Sequence, residues 1–511
     1  MSEQVRLGAA ALRREQVIAV ARGAATVELD EVAERELVRA RALVDAQAEA
    51  RPPAYGVSTG FGALAVRRIP ADQRTQLQRS LIRSHSAGAG AVVEREVVRA
   101  MLLLRLRTLV SGYSGVRPVT ARSLAALLNA GITPVVHEHG SLGCSGDLAP
   151  LAAAGLALMG EGEVFDQDGT RLAASDALAA AGIEPLTLAE KEGLSLINGT
   201  DGMLGMLVLA VEDLRGLVDV ADLTAAMSVE ALLGTDRAYA QELQELRPHP
   251  GQAVSARRMR SALAGSQIMA SHRGEDCTRV QDAYSLRCAP QVHGAARDTL
   301  DHAAAVADRE LASIIDNPVV LADGRLESCG NFHGAPLGYV LDFLAVAVAD
   351  LASIAERRTD RMLDVARSHG LPAFLAANPG VDSGHMIAQY TQAAVVSELK
   401  RLAVPASVDS IPSSAMQEDH VSMGWSAARK LRRAISGLTT VLAVELLTAA
   451  RALDLRAPLL PAPGTGAVRD LLRTRVSGPG TDRQLAPEIA AAEELIASGA
   501  VLHAALPDER R

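Results

Sequence analysis

A helical repeat of apolar residues constrains the fold of this chain more than any other feature. Before a stop at Gly234, apolar side chains recur with 4-3-4-3-4 spacing at Leu207, Val211, Leu214, Val218, Ala221 and Ala225. Similar patterns run over 295–313, 335–368, 386–403 and 422–456. Helices near or beyond about 25 residues usually bury one face in a bundle, often across a subunit interface. The repeat therefore predicts an all-α fold.

The scarcity of aromatic residues supports the same fold class. Phe, Trp and Tyr make up 2% of a chain that is 49% hydrophobic, so the core must be built from Leu, Val and Ala, which suits closely packed helices. Strand signals are sparse, and the Asp-Gly pairs at 168–169 and 323–324 predict only small surface hairpins. Because strands and helices do not alternate and no repeat of about 20–50 residues occurs, doubly wound and solenoid folds are disfavoured.

The chain divides by pattern into three parts. We predict a loop-rich N-terminal lobe over 1–200, a long-helix bundle over 201–456, and peripheral helices over 457–511, where Pro and Gly interrupt the sequence. Between the helices lie non-periodic segments rich in Gly, Ser, Asn and Asp. On a helical scaffold, catalytic and binding residues usually lie in such segments. These segments span 54–62, 84–90, 140–150, 197–205, 281–291, 328–334 and 413–424.

Charge and composition narrow the class of partner. A net charge of −9 with mixed signs disfavours a nucleic acid or a membrane surface, since either would select a concentrated basic face. The N-terminus does not resemble a signal peptide, and the alanine-rich stretch at 434–450 is typical of a buried helix. The four cysteines, Cys277 among them, form no CxxC pair, and His137 and His139 have no third ligand at a suggestive spacing. We therefore predict no metal, no disulfide framework and a cytoplasmic location.

The run GSLGCSGDLAP at 140–150 is hard to explain by packing, because it is rich in glycine and buries almost nothing apolar. Its order, G-C-S-G-D, does not match the G-x-S-x-G nucleophile elbow. If the Gly146 amide nitrogen attacks the Cys144 carbonyl, a five-membered ring closes. Loss of water, including the Ser145 hydroxyl, then leaves an exocyclic methylidene group. Glycine is needed because a Cβ would obstruct so close a backbone approach.

This run, extended to GSLGCSGDLAPLA, resembles the signature of the aromatic amino acid ammonia-lyases, whose Ala-Ser-Gly triplet matures into the electrophile methylidene-imidazolone (MIO). Motifs similar to the family's occur in the family's order over nearly the whole chain: AYGVSTGFG, LQRSLIRSHSAG, LINGTDG, VQDAYSLRCAPQ, GNFHG and SAMQEDHVSMG. The resemblance implies a long-helix bundle of the fumarase/aspartase-like type. It also implies an MIO formed autocatalytically from Cys144, Ser145 and Gly146 without an external cofactor, and a homotetramer whose sites are shared between subunits.

The resemblance also implies a base and a residue beside the cofactor. Tyr55 would remove the β-proton, which requires the site to lower a pKa that is ordinarily about 10. The alternative for Tyr55 is a ring packed in a turn. Phe332 would pack near the MIO ring, and its alternative is an ordinary core position.

The substrate carboxylate would be held by a second group of residues. The resemblance places Arg287 as a bidentate clamp, with hydrogen bonds from Tyr284 and Asn198. Gln281 lies three residues before Tyr284 and could join this group. For an isolated arginine, the alternative is a surface ion pair.

Substrate choice rests on His85 and Glu418. Imidazole presents one donor and one acceptor, and these two side chains could pair with its two ring nitrogens. Such a pocket would reject phenylalanine, because its own polar groups would be left unpaired. A structural histidine is the alternative for His85, while Asp419 and His420 compete with Glu418. The SH of the second motif, SLRC and QEDHVSM resemble the branch of the family that acts on histidine.

The expected function is the non-oxidative deamination of L-histidine to trans-urocanate and ammonia, the first step of histidine degradation. Whether the amine or the imidazole ring meets the electrophile stays open. The chain departs from the family pattern at Ala153, where many relatives have His, and at Met416 and Cys329. Two other functions stay open: another MIO enzyme, either a tyrosine ammonia-lyase or an aminomutase, and a non-catalytic helical scaffold, which only Ala153 supports.

Overall fold

The structure is a computed structural model that describes residues 4–8, 10–48, 55–274 and 280–505. Most of these residues are helical and the strands are short, so the predicted all-α class is confirmed. Residue 54 of the first predicted loop and Cys277 lie outside the described residues.

The helices fall into a shorter set and a longer set along the chain. Those before residue 200 are α1 (Arg14–Ala21), α2 (Glu31–Ala48), α3 (Arg74–His85), α4 (Arg95–Val110), α5 (Pro118–Asn129), α6 (Leu148–Leu158), α7 (Ala174–Ala180) and α8 (Glu192–Ile197). Those that follow are α9 (Asp201–Ala231), α10 (Gln241–Glu245), α11 (Pro250–Ala262), α12 (Gln267–Ala270), α13 (Tyr284–Arg287), α14 (Ala289–Ala312), α15 (Ala335–Leu363), α16 (Met386–Leu402), α17 (Gly424–Asp454), α18 (Pro463–Arg473), α19 (Ala486–Ala497) and α20 (Ala500–Ala505).

The predicted long helices are confirmed as α9, α14, α15, α16 and α17. Helix α9 ends at Ala231, shortly before the predicted stop at Gly234. Helices α15 and α17 are long and apolar enough to cross a membrane by length and composition, and a buried core helix meets the same criterion. Within this protein 61% and 72% of their apolar windows are buried, which agrees with the prediction of a buried helix at 434–450.

The strands form small sheets at the margins of the helices. They are β1 (Gln4–Leu7), β2 (Thr26–Leu29), β3 (Ala89–Val92), β4 (Thr133–Pro134), β5 (His137–His139), β6 (Glu163–Phe165), β7 (Arg171–Ala173), β8 (Val319–Val320) and β9 (Leu326–Glu327). Strands β1 and β2 pair in parallel, β3 pairs with β5, and β4 pairs with β6. The two predicted hairpins are confirmed as β6–β7 and β8–β9, where Gly169 and Gly324 have φ values of +83° and +87°.

The chain forms two compact units, each built from separated segments. The first unit comprises Met1–Leu209, Ala303–Asp342 and Pro405–Arg429, and the second comprises Ala210–His302, Phe343–Val404 and Lys430–Arg511. The two units are defined by spatial contacts between residues, whereas the predicted parts are consecutive stretches of the chain. The predicted division of the chain at 200 and 456 therefore stays a prediction.

Three glycine-rich segments of the first unit lie at or directly before the start of a helix. Helix α6 begins at Leu148 directly after the segment that starts at 140, α9 begins at Asp201 within the segment 197–205, and α17 begins at Gly424. The backbone N–H groups of a first helical turn have no partner inside the helix. The loops that precede these helices therefore lie beside backbone N–H donors that have no partner inside their own helix. The candidate site lies around these helix starts.

Candidate active site

Five of the residues singled out in the sequence surround one cavity of about 860 Å³ in the first unit. They are Tyr55, His85, Ser145, Asn198 and Glu418. They come from separate stretches of the chain, so the fold and not local sequence brings them together. Phe332 is half-buried in the same unit and does not line this cavity.

The triplet Cys144-Ser145-Gly146 lies directly against a second backbone segment, at Gly199. Gly146 is buried with φ +80°, and a Cβ built on it would lie 2.2 Å from the Gly199 carbonyl oxygen. The Asp147 N–H donates a hydrogen bond to the same oxygen, at 2.7 Å. On the other side, the Gly143 carbonyl accepts from the Ser422 hydroxyl at 2.6 Å and from the Gly334 N–H at 3.1 Å. The backbone around the triplet is therefore held from both sides, and only glycine fits at 146.

Asp147 fixes the loop that carries the triplet to the start of α9. Its buried carboxylate accepts from the Gly202 and Met203 N–H groups at 2.8 and 3.0 Å, and from the Ser141 hydroxyl at 2.9 Å. Burial raises the pKa of Asp147 to about 7, although these hydrogen bonds act in the opposite direction. A carboxylate that caps a helix start is a recurrent arrangement, because it satisfies two free donors and faces the positive end of the helix dipole.

Glu418 is the acidic residue of the QEDH run that meets the triplet. Its two carboxylate oxygens accept from the Ser145 hydroxyl at 3.1 Å and from the Cys144 thiol at 3.3 Å. Burial and then the nearby Glu418 charge raise the pKa of the Cys144 thiol to about 11, so this thiol stays protonated at neutral pH. Asp419 is exposed, and His420 pairs with the Ser410 hydroxyl at 3.0 Å. Of the three candidates in this run, the structure therefore places Glu418 at the cavity.

Tyr55 lies in the cavity wall with its hydroxyl oxygen accepting from the Gly62 N–H at 3.1 Å. Its ring meets Phe61 edge-on, with ring centroids 6.5 Å apart. Burial raises the pKa of Tyr55, the Gly62 hydrogen bond lowers it in part, and Glu418 adds to the rise. The expectation that the site lowers this pKa is therefore wrong for the described residues, because desolvation of the phenolate outweighs one amide donor.

His85 ends α3 and faces the cavity with a defined ring orientation. Its Nδ1 lies 2.9 Å from the Leu81 carbonyl oxygen, one helical turn earlier. Burial lowers the pKa of His85, while the Leu81 carbonyl and Glu418 raise it in part. The ring is therefore neutral near pH 7.

Asn198 is oriented by a buried chain of polar contacts. Its Nδ2 donates to the Asn317 carbonyl at 2.7 Å, while its Oδ1 is buried with no hydrogen-bond partner among the described residues. The Asn317 N–H donates to Asp316 at 2.8 Å, and Asp316 forms a fully buried ion pair with Lys191 at 2.9 Å. The contacts therefore hold Asn198 with its acceptor oxygen free.

Gln281, Tyr284 and Arg287 belong to the second unit. The Arg287 guanidinium carbon lies 4.7 Å from the centre of the Tyr284 ring, and the Tyr284 side chain is 71% exposed. The segment is anchored from within its own unit, because the Tyr239 hydroxyl donates to the Leu286 carbonyl at 2.7 Å. Gln281 is exposed, and none of the three residues lines the cavity of the first unit.

Several charged residues of the site were missed in the sequence. Asp147, Lys191 and Asp316 are buried and fix the loops of the cavity, yet no role was assigned to them. Their signal was an ionisable side chain inside a Gly-, Ser- or Asn-rich segment, as in CSGD, KEGLSLING and IIDNP. Among the described residues, no group of three or more His, Cys, Asp or Glu side chains could hold a metal ion.

Comparisons with known proteins match one family over most of the chain. The family model for aromatic amino acid lyases matches residues 12–474. A histidine ammonia-lyase of Streptomyces avermitilis is 63% identical over 500 residues, which cover 98% of each chain. The crystal structure of histidine ammonia-lyase from Trypanosoma cruzi matches with a TM-score of 0.90 at 38% identity, covering 99% of this chain and 95% of that one. The tyrosine aminomutase of Streptomyces globisporus matches with a TM-score of 0.93, also at 38% identity, over 99% of both chains.

Proposed function

The chain belongs to the aromatic amino acid lyase family, and we propose that it removes ammonia from L-histidine without oxidation, giving trans-urocanate. The observation that carries this proposal is the cavity in which the Ser145 triplet, His85 and Glu418 lie together. The identity of 63% to the Streptomyces avermitilis histidine ammonia-lyase over nearly the whole chain supports the same substrate. The chain is therefore an ammonia-lyase that acts on a carbon–nitrogen bond.

We propose that Cys144, Ser145 and Gly146 mature into MIO. The backbone fits this group, because Gly146 approaches Gly199 so closely that a Cβ would lie 2.2 Å from the carbonyl oxygen. Once formed, MIO supplies an electrophilic methylidene carbon that prepares ammonia for departure. Cys144 contributes only its carbonyl to the ring, so a thiol at this position is compatible with maturation.

The side chains around the triplet would bind the substrate and move its proton. Tyr55 is the base that we propose for the β-proton. Since burial raises its pKa, a cation near its hydroxyl is needed to make the phenolate accessible, and the substrate ammonium group would supply that charge. The free Oδ1 of Asn198 is an acceptor, which suits an N–H group of the substrate better than its carboxylate.

The carboxylate would be held by Arg287, with Tyr284 and Gln281 beside it. A planar guanidinium with its Nε buried and free of hydrogen bonds among the described residues suits a bidentate contact. We propose a homotetramer in which loops of different subunits complete each site, located in the cytoplasm. Dilution that dissociates the protein while activity per chain stays constant would contradict shared sites.

The nearest rival reaction is that of a tyrosine aminomutase or a tyrosine ammonia-lyase. The match to the tyrosine aminomutase fold is as close as the match to a histidine ammonia-lyase fold, so the fold alone does not separate them. His85 and Glu418 favour imidazole, because two polar side chains facing a phenol or phenyl ring would be left partly unpaired.

The proposal is tested by absorbance assays with L-histidine, L-tyrosine and L-phenylalanine, each beside a Ser145→Ala control. Formation of urocanate from histidine alone, abolished in the control, is the expected result. Intact mass should show a chain lighter by two waters in the parent and not in the control. Turnover of another amino acid would be consistent with MIO but would contradict the assignment of His85 and Glu418 to the imidazole ring. Absence of any product, together with a mass that is not reduced by two waters, would contradict the proposal that the chain is an MIO enzyme.

A further inference from the structure

From the contacts of Tyr239 in the second unit we infer that this tyrosine is a positioning residue for the binding of the substrate carboxylate. Its hydroxyl fixes the peptide group that carries Arg287, and through that group it sets how tightly the carboxylate is held. The inference rests on the proposed function, because it takes Arg287 as the group that holds this carboxylate.

The Leu286 carbonyl lies at a break in the helical hydrogen-bond pattern. In a continuous α-helix this oxygen would accept from the N–H group four residues later, but that residue is Pro290, which has no N–H group. Helix α13 ends at Arg287 and α14 begins at Ala289. The carbonyl therefore lacks its regular helical donor, and the Tyr239 hydroxyl donates to it instead, at 2.7 Å.

Tyr239 is well suited to act as a fixed donor. It lies between α9 and α10, and its side chain is 1% exposed. Burial raises the pKa of Tyr239, so the hydroxyl keeps its proton. The same loop holds the start of the segment that leads to Arg287, because the Thr235 N–H donates to the buried Asp282 carboxylate at 2.7 Å. The loop after α9 therefore contacts this segment at two points.

The contact with Leu286 bears directly on Arg287, because the Leu286 carbonyl and the Arg287 N–H belong to one planar peptide group. The carbonyl side of this plane accepts from Tyr239, and the N–H side donates to the Ala283 carbonyl at 3.0 Å. Holding both sides of the plane sets the direction in which the Arg287 side chain leaves the backbone. The Arg287 Nε is buried with no hydrogen-bond partner among the described residues, so the backbone carries most of this orientation.

A buried ion pair supports the neighbouring peptide group. Arg358 on α15 reaches the Ser285 carbonyl with Nη1 at 3.4 Å, and its Nη2 pairs with the Glu445 carboxylate on α17 at 3.0 Å. Glu445 also accepts from the hydroxyls of Thr224 and Ser228 on α9, each at 2.8 Å. Because three long helices support the segment in this way, removal of the Tyr239 hydroxyl should disturb one peptide group and not release the whole segment.

The test is Tyr239→Phe, which removes one oxygen and keeps the ring. In steady-state assays with L-histidine we expect KM to rise about 3–10-fold, the effect of losing one hydrogen bond, while kcat stays within about twofold. The split is expected because Arg287 would hold the carboxylate equally before and during the reaction, which is uniform binding. The Kd of urocanate, which retains the carboxylate, should rise by the same factor.

A double-mutant cycle shows whether Tyr239 acts through Arg287. Arg287→Lys keeps the positive charge and loses the planar fork. In that background Tyr239→Phe should change the Kd of urocanate by less than about twofold, since no fork is left to orient. Thr448→Val is the matched control, because it removes a buried hydroxyl of the same unit that donates to the Val444 carbonyl at 2.8 Å. It should lower the stability and keep the KM and the Kd of the parent.

An unchanged KM in Tyr239→Phe, or an equal rise of the Kd in both backgrounds, would overturn the inference. So would a Tyr239→Phe chain that fails to fold, because the hydroxyl would then serve the fold and not the carboxylate. Each of these results leaves the proposed function standing as long as the parent converts L-histidine to urocanate. A parent that does not convert L-histidine would overturn the proposed function and the inference together.

Discussion

Replacing Gly146 by Ala tests whether the close approach of two backbone segments prepares the triplet for ring closure. A Cβ at this position would lie 2.2 Å from the Gly199 carbonyl oxygen and 2.3 Å from its carbon, distances that side chains do not adopt. Because both atoms belong to the backbone, the strain can be relieved only by moving one segment away from the other. The reacting atoms, the Gly146 nitrogen and the Cys144 carbonyl carbon, both belong to the triplet, so we expect this movement to impair ring closure by releasing the triplet from the segment that holds it.

The magnitude follows from two contributions. A residue other than glycine costs about 1–2 kcal/mol in the left-handed region, where Gly146 lies at φ +80°. Moving Gly199 would also break the buried hydrogen bond of 2.7 Å from the Asp147 N–H, which costs about 1–3 kcal/mol. We therefore expect Gly146→Ala to lower the free energy of unfolding by about 2–5 kcal/mol.

Gly169→Ala is the matched control. Gly169 has φ +83°, yet a Cβ there would meet nothing within 4 Å, so only the first contribution applies. Urea unfolding should separate the two variants by about 1–3 kcal/mol. Intact mass should show the loss of two waters in Gly169→Ala and not in Gly146→Ala. Equal stabilities, or a Gly146→Ala chain that still loses two waters, would refute the role of the close approach.

Three further substitutions test individual contacts. Cys144→Ala should still lose two waters by intact mass, because ring closure uses only the carbonyl of this residue; a chain of unreduced mass would contradict that. Burial raises the pKa of Asp147 to about 7, above its unfolded value of about 3.9, so its neutral form is favoured on folding and its contribution to stability is lost as pH rises from 4 to 7. The unfolding midpoint of Asp147→Asn should therefore depend less on pH between 5 and 7 than that of the parent, and parallel curves would count against this. Lys191→Met leaves the Asp316 carboxylate buried without its partner and should lower the free energy of unfolding by about 3–5 kcal/mol, and adding Asp316→Asn should recover part of that loss in urea titrations.

The sequence predicted the elements that depend on local pattern. Helices α14 to α17 follow from the spacing of apolar residues, and the β6–β7 hairpin follows from an Asp-Gly turn, which requires a positive φ. The segment 197–205 was predicted to be non-periodic, yet α9 begins inside it at Asp201. The prediction missed this start because Asn, Gly, Thr and Asp are common both in loops and at helix starts.

The site was predictable in its residue types and not in its geometry. Motifs pointed to Tyr55, His85, Asn198 and Glu418, but the direction of each polar atom depends on partners far away in the chain. Lys191 and Asp316, for example, are 125 residues apart and share no local pattern. The pKa of Tyr55 was predicted to fall and is raised instead, because burial cannot be inferred from a glycine-rich motif.

The contact between Ser145 and Glu418 also sets an order of events during synthesis. The two residues are 273 positions apart, so a ribosome that adds roughly 5–20 residues per second needs on the order of 14–55 seconds to pass from one to the other. Gly199, which presses on Gly146, emerges much earlier. A nascent chain therefore contains both Gly146 and Gly199 well before it contains the acidic partner of Ser145, and any chain that terminates before residue 418 leaves the ribosome with that hydroxyl unpaired by Glu418.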